Sequence, residues 1–184
     1  MKRPNFVHLN VHSHYSILNG CSTIQQIVDS ALKKRMPGIA ITDYGNMFGI
    51  MEFIQYVARI NKERHEKGKK PFKPIIGCEL YVAKHGSKEK KNGVKDRKGY
   101  RLIVLAKSLI GYKNLIKIVS NAWTEGFYAA PRTDRKDMEK YHEGLIVLSG
   151  GFGSEVFTHV MKEDMTALDL SLIHISEPTR LLSI

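Results

Sequence analysis

Apolar and polar residues alternate over residues 6–11, the two-residue period of a strand with one face buried. The rhythm then changes. Gly20-Cys21-Ser22-Thr23 offers an N-cap for a helix over about residues 24–34, and Ile24, Ile27, Val28, Ala31 and Leu32 give it one apolar face. Pro37-Gly38 closes that unit, and residues 39–42 read as a second, short apolar strand. A turn over residues 45–49 leads into a long helix from about 50 to 67, with Phe53, Ile54, Val57 and Ile60 at helical spacing. Pro71 and Pro74 break it. Residues 75–82 and 102–106 are the third and fourth strands, residues 112–122 a helix, and 145–148 a fifth strand before Gly150-Gly151 and another helix. Strands alternating with helices at this spacing predict a parallel α/β architecture, because parallel strands need long crossovers. Barrel and open sheet remain equal alternatives on pattern alone.

A length of 184 residues suits one domain, and 42% apolar residues suffice for a core, which excludes wholesale disorder. No apolar run approaches the roughly 18 residues of a membrane span, so no membrane partner is expected. Met1-Lys2-Arg3-Pro4 is basic but lacks an apolar stretch behind it, so no secretion signal is read there. Cys21 and Cys78 are then expected to stay reduced in a cytoplasmic protein.

The net charge of +11 is concentrated. Between residues 59 and 101 stand fifteen Lys and Arg against five acids. Such a stretch attracts polyanions through counterion release, although a solvated helix end and surface loop give the same composition. Residues 84–98, with Gly86, Ser87, Asn92 and Gly93, read as that loop, and Lys88, Lys90 and Lys91 are its candidate nucleic-acid contacts.

In α/β folds functional groups gather where strands end. Three polar clusters sit there. In His8-Leu9-Asn10-Val11-His12-Ser13-His14, residues 8, 10, 12 and 14 share one face of an extended strand. Thr42-Asp43-Tyr44-Gly45-Asn46 follows the second strand, and Gly77-Cys78-Glu79 lies within the third. Imidazoles at i and i+2 with carboxylates from neighbouring strands suit Zn, Mn or Fe, and such a centre activates water against a phosphoester. The competing reading is ordinary strand-end polarity. Neither a G-x-x-x-x-G-K-[ST] loop nor a G-x-S-x-G elbow occurs, and the isolated cysteines exclude a CxxC site. Gly150-Gly151-Phe152-Gly153 reads as a strand-to-helix turn, with backbone anion binding as the alternative. Trp123, Phe127 and Tyr128 are expected to pack into the core, with base stacking as the alternative.

Six segments in unbroken order carry a resemblance. Phe-Val-His-Leu-Asn-Val-His-Ser-His-Tyr-Ser (6–16), Ile-Thr-Asp-Tyr-Gly-Asn-Met-Phe-Gly (41–49) and Pro-Ile-Ile-Gly-Cys-Glu-Leu-Tyr-Val (74–82) are three of them. Leu-Ala-Lys-Ser-Leu-Ile-Gly-Tyr-Lys-Asn-Leu (105–115), Gly-Phe-Tyr-Ala-Ala-Pro-Arg-Thr-Asp (126–134) and Glu-Gly-Leu-Ile-Val-Leu-Ser-Gly (143–150) complete the set. Together they resemble the PHP (polymerase and histidinol phosphatase) family, in the form that opens bacterial replicative DNA polymerase III alpha subunits. The resemblance covers about residues 5–156.

It implies a distorted (β/α)7 barrel, truncated in this chain after about five strands, with a metal pocket at its mouth. Of the family's ligand positions, His12, Asp43 and Glu79 keep ligand-type residues. Asn10, Asn19, Tyr44 and Arg101 stand where the family pattern has His, Asp, His and His. An arginine there sets a fixed positive charge at a cation site; at an effective dielectric of about 20, like charges about 4 Å apart cost about 4 kcal/mol. Arg101 is instead expected to pair with Asp43 or Glu79, in a degenerate, metal-free pocket with structural work and no catalytic residue in this segment. The resemblance further implies a full-length polymerase using Mg2+, primer-template DNA and deoxynucleoside triphosphates, with replisome subunits such as a proofreading exonuclease and sliding clamp as partners. A metal-dependent phosphoesterase or 3'-5' exonuclease using Zn2+ or Mn2+ in the PHP pocket is the second reading. A stand-alone nucleic-acid-binding module is the third.

Residues 170–180 read Leu-Ser-Leu-Ile-His-Ile-Ser-Glu-Pro-Thr-Arg and look like a translated transposase-type sequencing adapter. The expected organisation is therefore a partial PHP domain over residues 1–169 and a non-native tail over 170–184.

Overall fold

A computed structural model describes residues 6–89 and 99–164. Helix α1 (Ile24–Lys33) begins in a capping box: the Thr23 hydroxyl accepts from the Gln26 N–H, and the Gln26 side chain accepts from the Thr23 N–H. Strand β1 (Gly38–Ile41) follows, then α2 (Ile50–Glu66) and β2 (Lys73–Val82). Next come β3 (Tyr100–Ala106), α3 (Leu109–Thr124), the two-residue β4 (Arg132–Thr133) and α4 (Arg135–Lys140). Strand β5 (Leu145–Ser149), a 3-10 turn at Gly151–Gly153 and α5 (Glu155–Val160) close the described chain.

The sheet runs β1-β2-β3-β5, with β4 also on β2. One edge of β2 carries β1 along its first half, a bridge to Tyr44 at Glu79, and β4 at its end, all parallel. Its other edge pairs antiparallel with β3, and β3 pairs antiparallel with β5. The sheet is therefore mixed, which corrects the parallel expectation. The reason lies between β2 and β3. The described residues of that connection include no crossover helix, the usual link between parallel strands, and β3 runs back along β2. Residues 6–11 form no strand either. They lie along β1, the Ala40 N–H donating to the His8 carbonyl and the Thr42 N–H to the Val11 carbonyl, but without a continuous ladder.

Alternation sorts each strand's side chains between two layers. Ile24, Ile27 and Val28 of α1 and Phe53 and Val57 of α2 cover β1 through Ile39 and Ile41. Helix α3 buries Leu115, Ile118 and Val119 against Cys78, Leu80, Val104, Leu145 and Val147. At about 25 cal/mol per Å² of apolar surface, these two layers supply most of the drive to fold. Ile103 and Leu105 face the other way, with Ala40 and the partly buried Ile75, Ile146 and Leu148. By the same alternation Glu79, Tyr81 and Arg101 lie on that second face, because Glu79 pairs with Ile103 and Tyr81 with Arg101 in register. The first face is closed by helices. The second holds the candidate site.

Candidate functional site

Asp43 stands two residues after the end of β1 and is 2% exposed. Its carboxylate accepts from the Ser13 N–H at 2.6 Å, the Ser13 hydroxyl at 2.7 Å and the Ser16 hydroxyl at 2.6 Å. The Tyr44 N–H donates in turn to the Ser16 oxygen at 3.1 Å, and the Cys78 thiol to the Asp43 carbonyl at 3.3 Å. A short turn over residues 13–16 is thus wrapped around one buried carboxylate, whose two oxygens are both engaged. This turn also explains why the His8/Asn10/His12/His14 face does not assemble. The chain curls about Asp43, leaving His8, Asn10 and His14 exposed, the last against the Tyr15 ring.

Glu79 is 1% exposed and is met by different groups. His12 Nε2 lies 2.8 Å from one carboxylate oxygen, and Arg101 Nη1 lies 3.5 Å from the other. The Tyr44 ring stacks on His12 with centroids 4.0 Å apart and planes 9° from parallel. Arg101 donates to the Tyr44 hydroxyl at 3.3 Å, with its guanidinium carbon 5.9 Å from the ring centre. Tyr44 is therefore sandwiched into a cluster of imidazole, carboxylate and guanidinium. Arg101 sits there because two glycines make room. A Cβ on Gly153 would lie 2.0 Å from the guanidinium Nε, and one on Gly150 2.2 Å from the Arg101 carbonyl. The Gly-rich turn after β5 is thus explained by side-chain packing.

Of the three sequence-predicted positions, His12 and Glu79 come together, and Asp43 is engaged elsewhere. Among the described residues, no group of three or more His, Cys, Asp and Glu side chains is placed to hold a metal ion. Asn10 is exposed, its side-chain oxygen accepting from the Thr42 hydroxyl at 2.7 Å. Asn19 lies in an exposed turn beside Leu18, whose φ is 68°.

A sequence profile described as the PHP domain matches residues 8–177. The chain belongs to the PHP domain family. It is also similar to proteins named DNA polymerase III subunit alpha. The one from Borreliella burgdorferi is 46% identical over 82% of this chain and 12% of that protein. The one from Treponema pallidum is 43% identical over 81% of the chain and 12% of its own length. The Thermus aquaticus protein is 35% identical over 94% of the chain and 13% of its own length. This PHP chain therefore spans about an eighth of the curated relatives it matches.

The remaining predicted positions of the PHP chain lie elsewhere. Lys88 is on the loop after β2, ion-paired to Glu125 at 2.5 Å. Lys90, Lys91 and the tail over 170–184 fall outside the described residues. That loop is pinned from beneath. Fully buried Arg132 donates to the Ser87 and Glu89 carbonyls, while Asp134 accepts from the Ser87 N–H and hydroxyl. Burial works to raise the Asp134 pKa, but the Ser87 hydrogen bonds and the first-turn amides of α4 outweigh it and hold it below the usual value. Burial pushes the Cys78 thiol far upward, so it stays a protonated core side chain.

Trp123 and Phe127, expected in the core, are 41% and 45% exposed, with centroids 5.5 Å apart. The indole N–H donates to the Gly45 carbonyl, which holds the ring at the surface. The roles of Ser13 and Ser16 around Asp43, and of Gly153 against Arg101, are not among the sequence-based expectations. Two serines three residues apart, upstream of an Asp that follows a strand, were the available signal.

Proposed function

We propose that the chain is the N-terminal PHP portion of a replicative DNA polymerase III alpha subunit, and that its pocket is a structural remnant with no catalysis of its own. In the whole protein, DNA-templated DNA synthesis with Mg2+ would take place on downstream segments. None of the seven aspartates here forms an Asp-x-Asp pair. Primer-template DNA, deoxynucleoside triphosphates and replisome subunits such as an exonuclease and clamp would be partners of that longer, cytoplasmic protein. The face bearing Ile103, Leu105 and Glu79, which no α-helix covers among the described residues, would close as the inner wall of a distorted (β/α)7 barrel once the remaining strands are present. Residues 170–184 would be foreign to it.

One observation carries the structural reading of the pocket: Arg101 lies 3.5 Å from the buried Glu79 carboxylate, on the side opposite His12. A family-type Zn2+ or Mn2+ ion does not fit that donor set. It would have two donors, His12 and Glu79, and a guanidinium as neighbour, and its repulsion from that guanidinium scales with two charges. Asp43 cannot supply the third donor without releasing Ser13 and Ser16. Arg101 instead neutralises Glu79, and Tyr44 fills the remaining space.

The test is hydrolysis of a simple phosphodiester by the purified chain with Mn2+ or Zn2+. The expected result is no turnover above a Glu79→Gln control. Turnover abolished both by chelator and by His12→Ala would install the phosphoesterase reading instead. Continuation of the source reading frame into polymerase palm and fingers segments would be the expected outcome for the longer protein. A stop soon after residue 169 would favour a stand-alone binding module.

A further inference from the structure

The fold splits the basic window in two. Of its second half, Lys84 and Lys88 lie beside the carboxylates of Glu125, Asp134 and Asp137, with Lys88 already paired, and Arg101 lies at Glu79. The first half gathers elsewhere, and the topology adds cations that sequence distance had hidden. Helix α1 ends at Lys33 and α2 at Glu66, and the strands that follow start side by side, with Gly38 in register with Lys73. Lys33, Lys34 and Arg35 therefore reach the same pole of the domain as Lys67, Lys69 and Lys70, and all six are exposed. Ten Lys and Arg from residues 33–35 and 59–73 share this pole with three acids, Asp29, Glu63 and Glu66. Asp29 is engaged by the Tyr56 hydroxyl at 2.8 Å. Glu79 stands six residues along β2 from Lys73, roughly 20 Å away at the rise of a strand.

Cations do favour helix C-termini, where the macrodipole is negative. That preference accounts for one or two per helix and leaves most of these unexplained. The loop is also built to hold them outward. Phe72 is 1% exposed, and the Asn61 side chain grips its backbone twice, accepting from the N–H at 2.7 Å and donating to the carbonyl at 2.9 Å. Arg64 Nε donates to the Lys70 carbonyl at 2.9 Å, fixing the same turn. Past the end of α1, Arg35 adopts φ 59°, a left-handed position that glycine fills at least cost. The position carries a charge where conformation alone would select glycine. A groove of about 420 Å³ between the helices runs through the pole, its rim carrying Arg59, Arg64, Lys67 and Lys69 against Asp29 and Glu63, with Leu32, Tyr56 and Ile60 also lining it.

From this we infer that the α1/α2 C-terminal pole is a sequence-independent docking surface for the phosphate backbone of a nucleic-acid duplex. Exposed point charges on an anchored turn, around a groove whose lining is more charged than apolar, match a phosphate lattice better than a protein interface, whose core is depleted in charge. The surface stands independently of what the Glu79 pocket does.

The test is anisotropy titration of a fluorescent duplex of about 20 base pairs with the 184-residue chain, across roughly 50–200 mM KCl. Combined Lys67→Glu, Lys69→Glu and Lys70→Glu substitutions should weaken binding about tenfold or more, and flatten the slope of log K against log salt by about 3. Lys33→Gln with Lys34→Gln, on the other helix, should flatten it by about 2. Far-ultraviolet circular dichroism matching the parent confirms folding of each variant, since these residues are exposed. Unchanged affinity and slope would overturn the assignment. So would an equal loss from Lys88→Glu, which would reduce the effect to net charge. Binding of polyglutamate without binding of the duplex would also overturn it, and would point to an acidic protein instead.

Discussion

Asp43 and Glu79 are neighbours across one backbone pairing, equally buried, and satisfied in opposite ways. Asp43 is held by neutral donors from a four-residue turn, two hydroxyls and an amide N–H. Glu79 is held by the tips of two longer side chains, His12 and Arg101, that reach it from separate elements. The first arrangement ties local backbone to the segment just after β1 and engages both carboxylate oxygens. The second gathers charge on a face that no α-helix covers among the described residues. One carboxylate has become part of the scaffold, and the other occupies a pocket.

That contrast is sharpest under mutation. Asp43→Ala should strip three buried donors of their acceptor and cost about 3 kcal/mol or more in urea unfolding, because each stranded group forfeits about 1–3 kcal/mol. Asp43→Asn should recover part of this. A loss no larger than that of an ordinary surface substitution would break the comparison. Arg101→Met should cost less, about 1–2 kcal/mol, since the guanidinium is a third exposed and water softens the unpaired Glu79. Adding Glu79→Gln to Arg101→Met should restore most of it, because the uncompensated charge is then gone. Failure of that rescue would mean that Arg101 acts through packing against Gly153 alone.

A smaller, pH-dependent effect is expected at Asp134. Hydrogen bonds hold its folded pKa below the ordinary value, so its stabilising contribution is complete above about pH 4 and fades as pH falls through the folded pKa. Parent and Asp134→Asn should therefore differ in unfolding midpoint near neutrality and converge in acid. A difference that persists unchanged to low pH would show that capping geometry, and not charge, distinguishes them.

Helices α1, α2 and α3 and most strands were legible in the sequence because their apolar periods are strong: Ile24, Ile27 and Val28 mark α1, and the run 102–106 marks β3, whereas the short α4, with Met138 as its one buried residue, carries no such period. Strand direction was not legible, since a period of two or 3.6 carries no information on whether a connection crosses over or turns back. Residues 6–11 mislead for a related reason. Their alternation is genuine, but Ser13 and Ser16 fold the chain around Asp43 before a ladder forms. The grouping of His12 with Glu79 and Arg101 follows from the family resemblance, whereas spacing alone pairs His12 with His14. The basic pole needed the fold itself, because residues 33–35 and 67–70 meet only when β1 and β2 start together.

Elemental analysis of the purified chain, expressed with zinc and manganese supplied, tests the central claim most directly: that a guanidinium and not a metal ion balances Glu79. The account predicts bound metal far below one equivalent per chain in the parent protein. Stoichiometric zinc or manganese, lost on Glu79→Gln, would contradict it.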